Sequence, residues 1–168
     1  MTAVRLRALE ADITTLRVDA VVNAANPALA GGGGVDGAIH RAAGPELVRA
    51  SRALGPISPG QAVLTPAFAL PARFVIHAVG PVWHGGTAGE PEVLASCYRR
   101  SLELAMEAGC SSIAFPSIST GVYGYPKREA AQVAVHAVRR VAADPLEEVL
   151  FCCFSSPDLA IYRQLLEG

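Results

Sequence analysis

The chain is nearly devoid of lysine: Lys127 is the one lysine among fourteen basic residues, the rest being arginine. Chemistry that needs a Schiff-base amine or a phosphate-loop lysine has a single candidate. That candidate follows Tyr125-Pro126, not the G-x-x-x-x-G that a phosphate loop requires. Net charge is also missing. Fourteen basic against fifteen acidic residues leave a formal charge of -1, so no broad positive field exists to hold a nucleic acid or an anionic membrane. The four cysteines, Cys97, Cys110, Cys152 and Cys153, show no C-x-x-C spacing, and two are adjacent in an apolar run, which fits reduced thiols. No apolar stretch reaches membrane-spanning length, and the opening MTAVRLRALEAD alternates in polarity where an export signal would have an apolar centre. The expectation is a cytoplasmic protein with no membrane association, no metal and no cofactor. Without heptads or an apolar surface stripe, it is expected to be a monomer.

What is present describes a globular chain. Hydrophobic residues make up 51% of the 168 and charged residues 17%, which excludes the disordered and fibrous classes and predicts an ordinary buried core. Residues 3 to 9 alternate like an edge strand, and residues 18 to 24, VDAVVNA, read as a more central one. Helical spacing follows in Val35, Ile39, Ala42 and Ala43, then, after Gly44-Pro45, in Leu47, Ala50 and Leu54. Residues 61 to 65 and 73 to 79 are predicted strands, and 80 to 90 a loop. The next helix carries Leu94, Tyr98, Leu102 and Ala105 and stops at Gly109. A strand over 112 to 116 leads to a further helix from Pro126 with Ala130, Val133, Ala134, Ala137, Val138 and Val141 inward, ended by Asp144-Pro145. A strand over 148 to 154 and a last helix, capped at Ser156-Pro157 with Ile161, Leu165 and Leu166 inward, complete the chain. Strands alternate with helices without repeat or linker, which predicts a single α/β domain over 1 to 168.

Two of these strands are each followed by a loop of glycine and small polar residues and then by a helix: Gly31-Gly32-Gly33-Gly34 after the second strand, and Ser117 to Tyr125 after the fifth. Glycines let backbone N–H groups approach a ligand closely, and the following helix adds its positive dipole end, so the pair suits an anion such as a diphosphate. Four or five such amides, each contributing about 1.5–3 kcal/mol to a charged partner, hold it without a cationic side chain. Gly32-Gly33-Gly34-Val35-Asp36-Gly37 satisfies G-x-G-x-x-G as a string, but the glycines do not follow the strand directly and Ile57 stands where a dinucleotide fold wants an acid.

The strings ADIT at 11 to 14, VDAVVNAANPALAGGGGVDGAIHRAAG at 18 to 44, VIHAVGP at 75 to 81 and PSISTGVYGYP at 116 to 126 resemble the macrodomain family, specifically its MacroD-like ADP-ribose hydrolases. The resemblance implies a three-layer α/β/α sandwich with a mixed central sheet and a cleft for ADP-ribose. By position it implies that Asp12 accepts the adenine amino group beside the Ile13 backbone N–H, and that Phe154 lies against adenine. The amides of Gly32, Gly33, Gly34 and Val35 and of Ser119, Thr120, Gly121, Val122 and Tyr123 would wrap the diphosphate and distal ribose. Asn23 falls among the ligand-binding residues. Bland readings stand beside these: Asp12 as a loop cap, Phe154 as a core aromatic and Asp36 as a helix-start acid. Ala11 departs from the family, whose members commonly have Gly there.

Asn26 and Asp36, with His40 in support, are the catalytic residues the resemblance implies, Asn26 on the distal ribose and Asp36 beside an attacking water. An ester at the anomeric ribose is already activated, so a positioned water with modest base assistance suffices and no nucleophilic triad is needed. The implied activity is removal of mono-ADP-ribose from Glu or Asp side chains of proteins, together with deacetylation of O-acetyl-ADP-ribose. A reader that binds without cleaving, or a hydrolase acting on ADP-ribosylated nucleic acid, remains an alternative. Cys152 and Cys153, without a base or helix amino terminus, are not expected to act as nucleophiles.

Overall fold

Strand β1 (Arg5–Glu10) exposes alternate side chains, whereas β2 (Ala20–Ala24) is buried over almost its whole length. The sequences require this, since RLRALE alternates charged with apolar residues and AVVNA is almost wholly apolar. Four further strands follow: β3 (Ala62–Pro66), β4 (Phe74–Ala78), β5 (Ser112–Phe115) and β6 (Glu148–Cys153). The computed structural model describes residues 3–167 and joins these strands into one sheet in the order β1-β6-β5-β2-β4-β3. Every pair is parallel except β3 with β4, so the sheet is mixed. Met1, Thr2 and Gly168, the outermost residues of the expected domain, lie outside the described residues.

The strand period of two decides which helix each residue meets. Val21, Val75, Ala114, Leu150 and Cys152 point to one face, where they pack on Ile39 and Ala43 of α1 (Gly34–Ala43) and Leu47 of α2 (Pro45–Leu54). Their neighbours Val22, Ile76, Ile113, Phe115, Val149 and Phe151 point to the other. There they meet α3 (Glu90–Glu107), α4 (Lys127–Val141) and α5 (Ser156–Glu167) through Leu94, Tyr98, Leu102, Ala134, Val138 and Tyr162. Helices therefore cover both faces, giving the three-layer sandwich.

Several inward stripes shift by a residue. Ala42 and Leu54 are exposed, and the inner place on α2 goes to Ser51, whose hydroxyl donates to the Leu29 carbonyl at 2.7 Å. On α4, Ala131 and Val135 are buried while Val133 and Val141 are half-buried, and the helix ends at Val141, ahead of Asp144-Pro145. Tyr162, stacked on Phe151 at 4.9 Å between ring centroids, seats α5, with Ile161, Leu165 and Leu166 half-buried around it. Propensity and spacing alone do not distinguish adjacent small residues on a helix, so tertiary packing makes the choice.

Strands β2 and β5 are parallel neighbours, yet the chain leaves β2 for α1 on one face and β5 for α4 on the other. Such a divergence opens a crevice at the carboxyl ends of the two strands. Two buried ionisable groups sit close to this region. Glu90, 2% exposed, accepts from the backbone N–H groups of His84, Gly86 and Ala88 at 2.7, 3.0 and 2.7 Å. Burial alone would raise its carboxyl, but these donors and its own N–H outweigh that and hold it at about 2. His77 on β4 has no exposed surface, and burial, with His40 nearby, lowers its imidazole to about 3.

Both groups make folding acid-sensitive. The unfolded imidazole titrates at 6.5 and the folded one at about 3, so the unfolded chain binds the extra proton between these values. Stability from neutral His77 is intact above pH 6.5 and is lost as pH falls toward 3. Glu90 acts in the same direction, from its ordinary 4.5 down to about 2. Urea unfolding is expected to show falling stability between pH 6.5 and 4.5, with a shallower slope for His77→Phe. An equal slope in the variant would remove His77 as the source.

Candidate active site

The crevice holds two adjoining hollows of about 490 and 480 Å³, joined through the shared residues Val35, Pro116, Cys152 and Phe154. Glu10, Ala11, Asp12 and Ile13, from the end of β1, wall the first together with Ala38 of α1. The second runs between the loop after β2, with Asn26, Gly32, Gly33, Gly34 and Asp36, and the loop after β5, from Pro116 to Tyr123. One elongated cleft thus crosses the carboxyl ends of β1, β6, β5 and β2.

At the first end, Asp12 caps a single 3-10 turn (Ile13–Thr15), accepting from the Thr14 N–H at 3.0 Å and the Thr14 hydroxyl at 2.7 Å through Oδ1. The Thr14 hydroxyl, then its N–H, hold the Asp12 carboxyl below the usual range. Capping and wall-forming are thus both true of Asp12. Phe154 lies just beyond β6 and is 76% exposed, so the core-aromatic reading is excluded and its ring is free to cover a ligand. Between Asp12 and Phe154 lies Cys152, whose thiol faces the Ala11 carbonyl at 3.1 Å and is pushed up to about 11 by burial. A thiol held in that way is no nucleophile at neutral pH.

Each loop is packed closely against its own surroundings, where side chains would not fit. A Cβ on Gly37 would collide with the Gly32 carbonyl, and one on Gly80 with the Ser119 hydroxyl. Ser119 itself adopts a left-handed backbone, φ 68°, and its Oγ is buried without a protein hydrogen bond. Thr120 Oγ1 ties its turn to Ser117 through the carbonyl at 3.1 Å and Oγ at 2.8 Å, while Val122 stands fully exposed at the lip. The Tyr123 carbonyl accepts from the Trp83 N–H at 2.8 Å, which links this lip to the 82–90 loop.

Asn26 and Asp36 face the cleft together. Asn26 Nδ2 donates to the Gly31 carbonyl at 2.8 Å and its Oδ1 accepts from the Ala30 N–H at 3.3 Å, so the side chain braces the glycine loop. Asp36, 7% exposed, lies in the first turn of α1. Its Oδ1 accepts from Asn23 Nδ2 at 2.8 Å and faces His40 Nε2 at 3.3 Å. Oδ2 lies toward Gly32, where an added Cβ would stand 3.2 Å away. A carboxylate with one oxygen held from behind and the other toward the cleft can orient a water and take its proton.

Two expected site residues stand behind the cleft wall and do not line it. Asn23 is fully buried and does not line the cleft, because β2 turns it toward α1, where it serves Asp36. His40 does not line the cleft either. It sits one helical turn behind Asp36, packed against Gly31, with Nε2 facing Asp36 Oδ1, in the supporting place expected of it. Sequence reasoning also misses Thr65 and His77. His77 pairs with Asn23 in the parallel register, its Nδ1 lies 3.3 Å from Asn23 Nδ2, and its Nε2 lies 3.0 Å from Thr65 Oγ1. The signal is present, since an Asn and a His inside apolar strands need partners. Lys127 also lines the cleft, paired with Asp158 at 3.2 Å. Among the described residues no group of three His, Cys, Asp or Glu side chains converges on a metal site, and no helix is long and apolar enough to cross a membrane.

Comparison with known proteins follows the same outline. A macro domain-containing protein of Chlorobaculum tepidum is 61% identical over 165 residues, covering 97% of this chain and 96% of that protein. A Klebsiella pneumoniae protein named O-acetyl-ADP-ribose deacetylase is 57% identical over 170 residues, covering 98% and 97%. Among solved structures, the Oceanobacillus iheyensis macrodomain with ADP superposes with a TM-score of 0.90 at 44% identity, covering 95% of this chain and 88% of that one. The Trypanosoma brucei macrodomain in complex with ADP-ribose gives a TM-score of 0.90 at 40% identity, covering 96% and 68%. The Macro domain family model matches residues 22–134, and with that match and these relatives the chain belongs to the macrodomain family.

Proposed function

We propose that the chain binds ADP-ribose in this cleft and hydrolyses esters at its distal ribose, deacetylating O-acetyl-ADP-ribose and releasing mono-ADP-ribose from Glu and Asp side chains of proteins. The observation that carries the reading is the joint placement of Asn26 and Asp36 at the glycine-loop end of a cleft whose other end holds Asp12 and Phe154. Relatives named O-acetyl-ADP-ribose deacetylase and macrodomains solved with ADP-ribose support the same ligand.

On this reading adenine lies between Asp12, Ile13 and Phe154, and the diphosphate is met by the N–H groups of the Gly32 to Val35 and Ser119 to Tyr123 segments. The distal ribose then reaches Asn26 and Asp36. A water held by the free side of Asp36 attacks the acyl carbon and gives one proton to the carboxylate, the bond from the acyl carbon to the ribose oxygen breaks, that oxygen takes the proton back from Asp36, and the second proton of the water passes to solvent. ADP-ribose leaves with a hydroxyl and the acyl group as a carboxylate. The same bond is cleaved whether the acid is acetate or a protein side chain, because the cleft's walls address only the ADP-ribose.

A chromatographic time course of free ADP-ribose from O-acetyl-ADP-ribose and from a Glu/Asp-modified protein is expected to show release by the parent. Asp36→Ala should slow it by on the order of 100-fold or more, with calorimetric ADP-ribose binding retained. Binding without release from either substrate would replace the hydrolase with a reader. Phe154→Ala is expected to weaken ADP-ribose binding by roughly 3- to 10-fold, the worth of one aromatic contact. Unchanged affinity would remove Phe154 from the adenine site.

A further inference from the structure

Behind Asp36 lies a line of hydrogen bonds with a single consistent direction. Asn23 is flush with its neighbours inside the sheet, 0% exposed, as is His77, and Thr65 is 2% exposed. The Thr65 hydroxyl donates to the Pro66 carbonyl at 3.0 Å, which leaves its oxygen to accept from His77 Nε2–H, also at 3.0 Å. With the imidazole proton on Nε2, Nδ1 carries a lone pair and accepts from Asn23 Nδ2 at 3.3 Å. The second Nδ2 proton of Asn23 goes to Asp36 Oδ1 at 2.8 Å. The direction cannot be reversed, because an Asn23 amide turned by half a rotation would present its oxygen to the carboxylate.

We propose that His77 is a positioning residue for the ester hydrolysis: acting through Asn23 and backed by Thr65, it fixes the amide that holds Asp36 Oδ1 and so leaves Oδ2 aimed at the cleft. The proposal rests on the function proposed above. Three features point to positioning and not to packing alone. Apolar side chains would fill these strand sites without the desolvation that Asn, His and Thr cost. The line ends on a cleft carboxylate and nowhere else. Asn23 Oδ1 is left buried without a partner, a cost retained while both Nδ2 protons are spent on His77 and Asp36. Burial, and His40 nearby, keep the imidazole neutral down to about pH 3, which preserves the Nδ1 lone pair the line needs. His40 holds the same Oδ1 from the α1 side, at 3.3 Å, so the carboxylate is gripped from sheet and helix together.

The test compares His77→Phe, His77→Asn and Thr65→Val with the parent, using O-acetyl-ADP-ribose turnover, ADP-ribose calorimetry and side-chain nitrogen NMR. The His77→Phe variant should lose about 10- to 100-fold in kcat, the effect of a misdirected reacting group, with KM and ADP-ribose affinity within about twofold. The His77→Asn variant, whose amide oxygen stands near the Nδ1 position, should regain most of that loss. In the parent, NMR should report the Nε2–H tautomer of His77 and slowly exchanging Asn23 amide protons. Thr65→Val keeps the shape of the site should the His77→Phe variant fail to fold, and in it exchange should quicken and kcat fall by a smaller factor. The proposal is overturned by an Nδ1–H tautomer in the parent, by a folded His77→Phe variant with parental kcat, or by a His77→Asn variant as impaired as His77→Phe. A parent that binds ADP-ribose but turns over nothing would refute the proposed hydrolysis, while the tautomer and exchange data would still decide the hydrogen-bond line.

Discussion

The divergence of the chain at β2 and β5 is the constraint on which the site depends. These strands lie side by side and parallel, and both faces of the sheet need helical cover. Sending α1 to one face and α4 to the other satisfies the cover, and it prevents the connecting loops from packing on each other. The result is an open seam lined by the two glycine-containing loops, with a helix starting on either side. A ligand rich in acceptors fills what the fold cannot fill for itself, which is why cleft and sheet topology are one feature.

Close backbone approach then shapes the seam. Gly37 lets the first turn of α1 fold down onto the Gly32 carbonyl, and this brings Asp36 to the cleft wall. On the opposite side Gly80 makes room for Ser119, whose left-handed backbone turns the loop after β5 inward. Neither device acts alone, since Trp83 reaches the Tyr123 carbonyl and Glu90 gathers the N–H groups of the segment between them. The lip with Val122 exposed is thus anchored at its base by hydrogen bonds and left apolar at its tip.

Much of this is legible in the sequence. Alternation identifies β1 as an edge, the apolar VDAVVNA run identifies an interior strand, and two glycine loops at strand ends locate the cleft. The loop residues and Asn26, Asp36, Asp12 and Phe154 do line it. What is not legible depends on register. Asn23 stands close to Asn26 in sequence, and only the strand period turns it under α1, where it meets Asp36 from behind the cleft wall. His77 gains its meaning from pairing beside Asn23 on a strand 54 residues away, and Thr65 from the antiparallel pairing of β3 with β4. Pairing between distant segments carries no local signature, so a buried polar residue announces a partner without naming it. The helix stripes shift for a related reason: Ala42 and Ala43 are equal by propensity, and the packing of α1 on the sheet buries Ala43 and leaves Ala42 exposed.

The scarcity of lysine in the chain finds its place in the proposed chemistry. Amide dipoles hold an anion at short range with little long-range field, so binding through the two loops depends weakly on ionic strength compared with a lysine-lined site. Lys127 does reach the cleft, but Asp158 pairs with it. On the proposed function, hydrolysis of an ester beside Asp36 would generate a second carboxylate next to the first. Two like charges about 4 Å apart in a partly buried site repel by roughly 4 kcal/mol at an effective dielectric of about 20. No unpaired Lys or Arg lines the described cleft to offset that repulsion, so on the proposed function it favours departure of the acid product. A positively charged cleft would bind substrate more tightly and hold its acid longer, and this one, with Glu10, Asp12, Asp36 and Asp158 against Lys127 in its lining, lies on the opposite side of that trade.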